Sequence, residues 1–316
     1  MAESVAHASG KLMLAGEYAV LFEPGRCVAV AVGEVASARW SAGPTPTLTL
    51  DAYDTVRSWP LSAIPSDQLM GFIGAALAAV GHGRLPPGAL HVRVNGQLGG
   101  RKFGLGSSAA TTIAVLRATL IARGKATPPA QIMALAHKIH HAQQGGRGSG
   151  YDVATIAHGG CVAYERASAT VHQLPWPDGV FGAALYTGTP SSTVAALRRG
   201  IDGATLGIAA IAAASDGLLA AWHGGVASQI LAALATCEAA FDTLAADHPW
   251  MAPKSLQLTR THIRRHGGVA RTSGAGGGDC VLAWTDDRDR RDAIVAAWPD
   301  VCVARLPEDL AAVEAP

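Results

Sequence analysis

The segment that most restricts this chain is Gly104-Leu-Gly-Ser-Ser-Ala-Ala, which runs straight into an apolar stretch ending near Arg123. Glycines, then serines, then an unbroken apolar run read as a tight turn entering a buried helix from Ser107. The first N–H groups of such a helix have no partner within it, and its dipole favours negative charge there. A phosphate fits that end. Glycine removes the side chain that would hold the anion away from the backbone. Ser107 and Ser108 can each cap the helix or reach a phosphate-bound Mg²⁺. A serine-capped helix after a glycine turn would need no ligand, and these residues alone leave both readings open.

Two further glycine segments stand out. Thr272 to Cys280 reads TSGAGGGDC, between two apolar runs. A loop so dense in glycine is costly to order. It implies close approach either to a ligand or to another stretch of backbone. Ala8 to Val20 reads ASGKLMLAGEYAV. Lys11 is expected in a turn there, where its ammonium could neutralise a phosphoryl group in transfer or simply face solvent.

Other chemistries find less support. No GxxxxGK[ST] is present, no complete GxGxxG follows a strand, and no GxSxG elbow occurs. His137 and His141 are spaced as zinc ligands on a helix can be. Lys138, however, stands where HExxH needs glutamate, so a packed or solvated histidine face is the better reading of His137, His140 and His141.

The chain has 316 residues, 49% apolar and 16% charged, with a formal net charge of +1. That suits two domains with ample core and gives no basic field for nucleic acid or a membrane surface. The five cysteines are widely spaced and odd in number. They point to reduced thiols in a cytoplasm rather than a disulfide frame. The N-terminus lacks the apolar run of a signal peptide. The Ala-rich stretch Ala204 to Ala221 contains Asp216 and Gly217 and reads as a buried helix or helix pair, not a membrane span.

A strand and its turn are expected over Ser4–Ala15, and strands at Val28–Trp40, Leu48–Tyr53, Leu90–Asn95, Cys161–Glu165, Phe181–Tyr186, Val269–Thr272, Cys280–Trp284 and Val301–Ala304. Helices are expected at Asp67–Val80, Ser107–Arg123, Pro128–Gln143 and Arg288–Trp298, with mostly helix between Tyr186 and His266. Pro175–Gly179 is the best break, dividing the chain into 1–178 and 179–316. Strands and helices mix without regular alternation, an α+β pattern.

The three glycine motifs, in this order, resemble those of the GHMP kinases, from about Ala8 to Ala283. The resemblance implies an N-terminal domain like ribosomal protein S5 domain 2, a C-terminal ferredoxin-like domain, and a site in the cleft between them. Details resemble the phosphomevalonate kinase branch: GEYAV at Gly16–Val20, Lys102 ahead of the loop, TGTPSST at Thr187–Thr193, and the Asp-Cys ending of the third motif. A diphosphomevalonate decarboxylase would be expected to place an Asp ahead of those glycines.

By resemblance, Gly104, Leu105, Gly106, Ser107, Ser108 and Ala109 form the ATP phosphate loop, and Ser107 or Ser108 meets Mg²⁺. Lys11 and Asp152 form the catalytic pair, although Asp152 alone would read as a helix cap. Glu17, Tyr18, Lys102, Arg147, Ser149, Ser191, Ser192, Thr193, Arg198, Gly276 and Gly277 are candidates for the acceptor site. The partner implied is a small phosphorylated acid of the mevalonate type, and the assembly a monomer or homodimer. The glutamate that binds Mg²⁺ in mevalonate kinases, about eleven residues before the Asp, is missing; His141, Gln143 and Gln144 stand there. The alternatives are a mevalonate kinase or other small-alcohol GHMP kinase, and a silent binding protein. The latter is expected to lose Lys11, Asp152 or the GLGSS loop, and all three are present.

Overall fold

The computed structural model describes residues 3–66, 68–81, 85–95, 97–98, 101–146, 148–191, 196, 199, 201 and 206–312. Along the chain come β1 (Ser4–Ala15), β2 (Arg26–Ala42), β3 (Thr47–Ala52), β4 (Thr55–Pro60), α1 (Gln68–Val80) and β5 (Gly88–Val94). Two short strands follow, β6 (Gln97–Leu98) and β7 (Arg101–Lys102), then α2 (Ser107–Ala122), α3 (Pro129–Gln143) and α4 (Tyr151–His158). Next are β8 (Cys161–Glu165), β9 (Thr170–Leu174), β10 (Phe181–Tyr186), α5 (Leu206–Gly224), α6 (Ala227–Asp247) and α7 (Lys254–Arg265). The last elements are β11 (Val269–Thr272), β12 (Cys280–Thr285), α8 (Arg288–Ala296) and β13 (Cys302–Leu306).

Two compact units emerge, and neither is one continuous segment. The first comprises Met1–Lys11, Gly33–Gly159 and Ala311–Pro316; the second comprises Leu12–Val32 and Gly160–Leu310.

In the first unit the strand order is β4-β3-β5-β2, with β3 parallel to β5 and the other pairs antiparallel. Register runs from Ala36 opposite Val94 to Ala42 opposite Gly88. Helices α1, α2, α3 and α4 pack together, and α2 also meets β5. Helix α2 is buried almost all round, from Ala109 through Leu116 and again at Ala118, Thr119 and Leu120. Alanines allow that close approach. Two of its buried threonines return their hydroxyls to their own helix: Thr112 Oγ1 donates to Ser108 O at 2.8 Å and Thr119 Oγ1 to Val115 O at 2.6 Å.

In the second unit, the first part of β2 pairs with β8, and β8 with β9. A separate antiparallel sheet has the order β11-β12-β10-β13. Side chains alternate across it. Ala183, Leu185, Ala270, Val281 and Ala283 share a core with Leu256 and Ile263 of α7 and Ile294 and Val295 of α8. Arg271 and Trp284 alternate with those residues and are also fully buried.

Helices α5 and α6 pack on each other. Both are long and apolar enough to cross a membrane by length and composition alone. Yet α6 carries the buried, ion-paired Glu238, as a core helix can. The stretch expected as one buried helix or two is a single helix here, with Asp216 and Gly217 inside it.

Four strands escaped the sequence pattern: β4, β9 and the two-residue β6 and β7. β4 is exposed along almost its whole length, so it shows no alternation to read. One expectation is corrected outright: Lys11 lies inside β1, not in a turn. Gly10 gave the turn signal, but a Cβ there would lie 2.7 Å from Val35 Cγ2 and 3.0 Å from Leu105 Cβ. The glycine makes room for neighbours on a continuous strand.

Candidate functional site

In the first unit, β1 and the entry of α2 are joined at the backbone: Lys11 N donates to Leu105 O at 2.9 Å. The Lys11 ammonium then donates to Gly104 O at 2.8 Å and lies 5.4 Å from the centroid of the Tyr151 ring. Its stem runs beside Gly106, where a Cβ would come within 3.1 Å of Lys11 Cγ and 3.3 Å of Cε. Gly106 also has φ +80°, a left-handed conformation that costs other residues about 1–2 kcal/mol. Glycine is thus required here twice, by conformation and by space.

Gly106 is the N-cap residue of α2, and no side chain caps that end. Neither Ser107 nor Ser108 acts as the cap that the sequence allowed. The first turn therefore presents backbone donors and two half-buried serines beside a fixed ammonium. An anion is what such a site can hold.

Asp152 sits in the first turn of α4, whose N-cap is Gly150, with φ +80° and again no side-chain cap. Asp152 Oδ1 accepts from Val153 N at 2.9 Å. Its Oδ2 lies 3.9 Å from Nδ1 of His140, a side chain only 3% exposed. Ser149 precedes the N-cap and is partly exposed. The structure thus gathers Lys11, the Gly104–Ala109 turn and Tyr151 in direct contact, with Asp152 the next residue along α4.

The second unit holds a different group of candidates. Glu17 is fully buried against Arg271, which also donates to Glu238 Oε2 at 3.1 Å and to Leu14 O at 2.9 Å. Burial pushes the Glu17 carboxyl above its usual range, and Arg271 only partly offsets this. Burial alone would pull Arg271 down, but Glu17 and Glu238 outweigh it and hold the guanidinium firmly charged. Glu238 also accepts from Thr272 N at 2.7 Å and meets Arg260 Nε at 2.7 Å. Glu17 is thereby committed to an internal ion network.

Tyr18 adopts φ 59° and donates its hydroxyl to Ala275 O at 2.6 Å. Burial first, then the Glu17 charge, push this phenol well above its usual range, so it serves as a donor. The glycine loop is explained by other backbone. A Cβ on Gly276 would fall 2.5 Å from Met251 O, and one on Gly278 would fall 2.3 Å from Thr189 O. Ser191 fastens the loop, its Oγ donating to Gly276 O at 2.7 Å and its N to Asp279 Oδ1 at 2.9 Å. At Gly277 a Cβ would lie 3.3 Å from Ser191 Oγ.

Arg147, Ser192, Thr193 and Arg198 lie outside the described residues, and of Lys102 only the backbone in β7 is described. Sequence reasoning did not single out His140, Arg271 or Glu238. It also passed over Arg199, whose guanidinium lies 4.6 Å from the centroid of the Trp250 ring. Among the described residues, no three His, Cys, Asp or Glu side chains group as a metal set. His137 and His141 merely meet edge to face, 6.3 Å apart.

Comparison with known proteins completes the picture. Residues 71–160 match the GHMP kinases N terminal domain, and residues 259–304 match GHMP kinases C terminal. A phosphomevalonate kinase from Streptomyces sp. (strain CL190) is 27% identical over 96% of this chain and 96% of its own. The Streptococcus pneumoniae phosphomevalonate kinase, solved in complex with phosphomevalonate and AMPPNP, shares the fold at TM-score 0.79 and 20% identity, covering 95% of this chain and 98% of that one. The Methanococcus jannaschii mevalonate kinase does so at TM-score 0.76 and 15% identity, covering 95% and 96%. The α+β fold that the sequence implied is the one found, and the chain carries matches to both the N-terminal and the C-terminal domain of the GHMP kinases.

Proposed function

We propose that this chain transfers the terminal phosphoryl group of ATP to the phosphate of 5-phosphomevalonate, giving 5-diphosphomevalonate and ADP. An oxygen of the acceptor phosphate forms the new P–O bond, and the bond between the terminal phosphorus and the bridging oxygen breaks. One observation carries this reading: the Lys11 ammonium, fixed on Gly104 O beside the uncapped start of α2. Further support comes from the full-length similarity to the Streptomyces enzyme.

The triphosphate would lie against the backbone of Gly104–Ala109, where a left-handed glycine and the absence of a side-chain cap suit it. Ser107 and Ser108 would give a bound Mg²⁺ one or two oxygens, and the phosphates and water the rest. That ion would spread the charge developing on the transferred group.

An acceptor phosphate monoester has its second pKa near about 6 and is already ionised at neutral pH. The obstacle is then repulsion between two anions, and Lys11 meets it by neutralising charge. Of the remaining acceptor candidates, Ser149 immediately precedes the N-cap of α4, the helix that carries Asp152, while Tyr18, Ser191 and the Gly276–Gly277 turn belong to the second unit. Glu17 would act from beneath Tyr18 rather than on the ligand. We place the domain boundary near Asp178, at the Pro175–Gly179 break. A reducing cytoplasm suits five cysteines that are all free.

An alcohol acceptor, as for a mevalonate kinase, is the second reading. The position of Asp152 Oδ2 favours it, because an alcohol must lose a proton and this carboxylate oxygen accepts no backbone bond. ADP release in a coupled assay, with 5-phosphomevalonate and mevalonate compared at equal concentration, decides between them. Turnover of mevalonate alone would overturn the proposal.

A further inference from the structure

We propose that His140 is a positioning residue for Asp152, its Nδ1 directed at the carboxylate Oδ2 across the 3.9 Å between them and donating to it as that gap closes on substrate binding. This rests on the reading of Asp152 as part of the kinase site.

The ring cannot easily turn away. His140 is 2% exposed. It packs against Phe72 of α1, ring centroids 4.6 Å apart, and its Nε2 lies 3.3 Å from Thr112 Oγ1 of α2. The single hydroxyl proton of Thr112 is already given to Ser108 O, at 2.8 Å. Thr112 can therefore only accept from the ring, so Nε2 carries a proton. In a neutral imidazole Nδ1 would then be a bare lone pair. That atom is buried with no hydrogen-bond partner, and 3.9 Å away stands a carboxylate oxygen.

A lone pair facing a carboxylate satisfies neither group. A single proton between them satisfies both. Asp152 Oδ1 is held separately by Val153 N, so Oδ2 is the oxygen left to pair. Such contacts are often long before substrate binds and tighten in the reacting complex. The consequence bears on the acceptor. An ionised Asp152 alone would repel a second phosphate, whereas a proton donated by His140 offsets that charge while keeping the carboxyl oriented.

The test is a double-mutant cycle of His140→Phe and Asp152→Asn in the coupled assay. Phenylalanine preserves the packing on Phe72. His140→Phe is expected to lower kcat about tenfold, with KM for ATP changed less than about twofold and with partial recovery in His140→Gln, whose amide can donate to Asp152. In the Asp152→Asn background the same change should cost less than about twofold. An equal loss in both backgrounds would show a merely structural role and overturn the proposal. If neither acceptor turns over, the functional reading fails, and the ring nitrogens decide this inference independently. In ¹⁵N spectra assigned by comparison with His140→Gln, Nδ1 should appear protonated in the native chain and lose that signature in Asp152→Asn. An unprotonated Nδ1 in the native chain would refute it.

Discussion

Replacing Gly106 by alanine tests the central geometry. The left-handed backbone there, at φ +80°, would cost about 1–2 kcal/mol with a side chain present. The new Cβ would also lie 3.1 Å from Lys11 Cγ, 3.3 Å from its Cε and 3.5 Å from Ile156 Cδ1. The lysine stem is the flexible partner, so it gives way by a few tenths of an ångström and the ammonium slips from Gly104 O. A hydrogen bond to a charged group is worth about 1.5–3 kcal/mol. If that ammonium acts on the transferring group, kcat/KM falls about 10- to 150-fold. Gly124→Ala provides the control, because Gly124 has φ +69° and nothing within 4 Å of its Cβ position. Both variants should lose about 1–2 kcal/mol in urea unfolding followed by circular dichroism. Only Gly106→Ala should lose activity in the coupled assay. If Gly106→Ala keeps kcat/KM within about threefold of the parent while losing that stability, Lys11 is not held in a productive position by this turn.

Three further outcomes are expected. Lys11→Ala should lower kcat more than Asp152→Asn, since a phosphate acceptor needs charge neutralised rather than a proton removed; the reverse order would argue for an alcohol acceptor. Arg271→Met should destabilise the protein by about 3–5 kcal/mol, because it leaves Glu17 and Glu238 buried without their cation; a loss under about 1 kcal/mol in urea would contradict the network. Hydrogen bonds from Arg291 hold the Glu308 carboxyl down at about 2, against an ordinary 4.5. A depressed acid stabilises the fold above its unfolded value, so the advantage of the parent over Glu308→Gln should be complete above pH 4.5 and vanish as pH falls toward 2. Urea midpoints of the two proteins across that range measure it, and salt should shrink the gap, because Glu308 is 35% exposed.

Most strands and helices were legible because apolar runs end at glycine or proline. The run from Ala109 to Leu120 is the clearest case, since burial on every side leaves no polar face to confuse the pattern. Long-range causes were not legible. Gly10 reads locally as a turn, and only contact with Leu105 reveals why strand β1 needs it. Glu17 and Arg271 stand 254 positions apart, so no local spacing announces their pairing. Among three close histidines, spacing drew notice to His137 and His141. His140 differs because α1 and α2 happen to cover its face of α3, a fact of packing rather than of period. The third motif's glycines were equally ambiguous, and the carbonyls of Met251 and Thr189 explain two of them as backbone contacts.

The bonds from Tyr18 to Ala275 and from Met13 to Ser273 span 257 and 260 positions. A ribosome makes the first partner of each pair 257 or 260 residues before the second. Met13 and Tyr18 thus leave the ribosome long before the residues that these two bonds join them to. A message truncated before codon 271 would yield a chain whose Glu17 lacks its counter-ion and whose β1 lacks its clasp. Such a product should expose apolar surface and fall to proteases rather than persist as a half-finished enzyme.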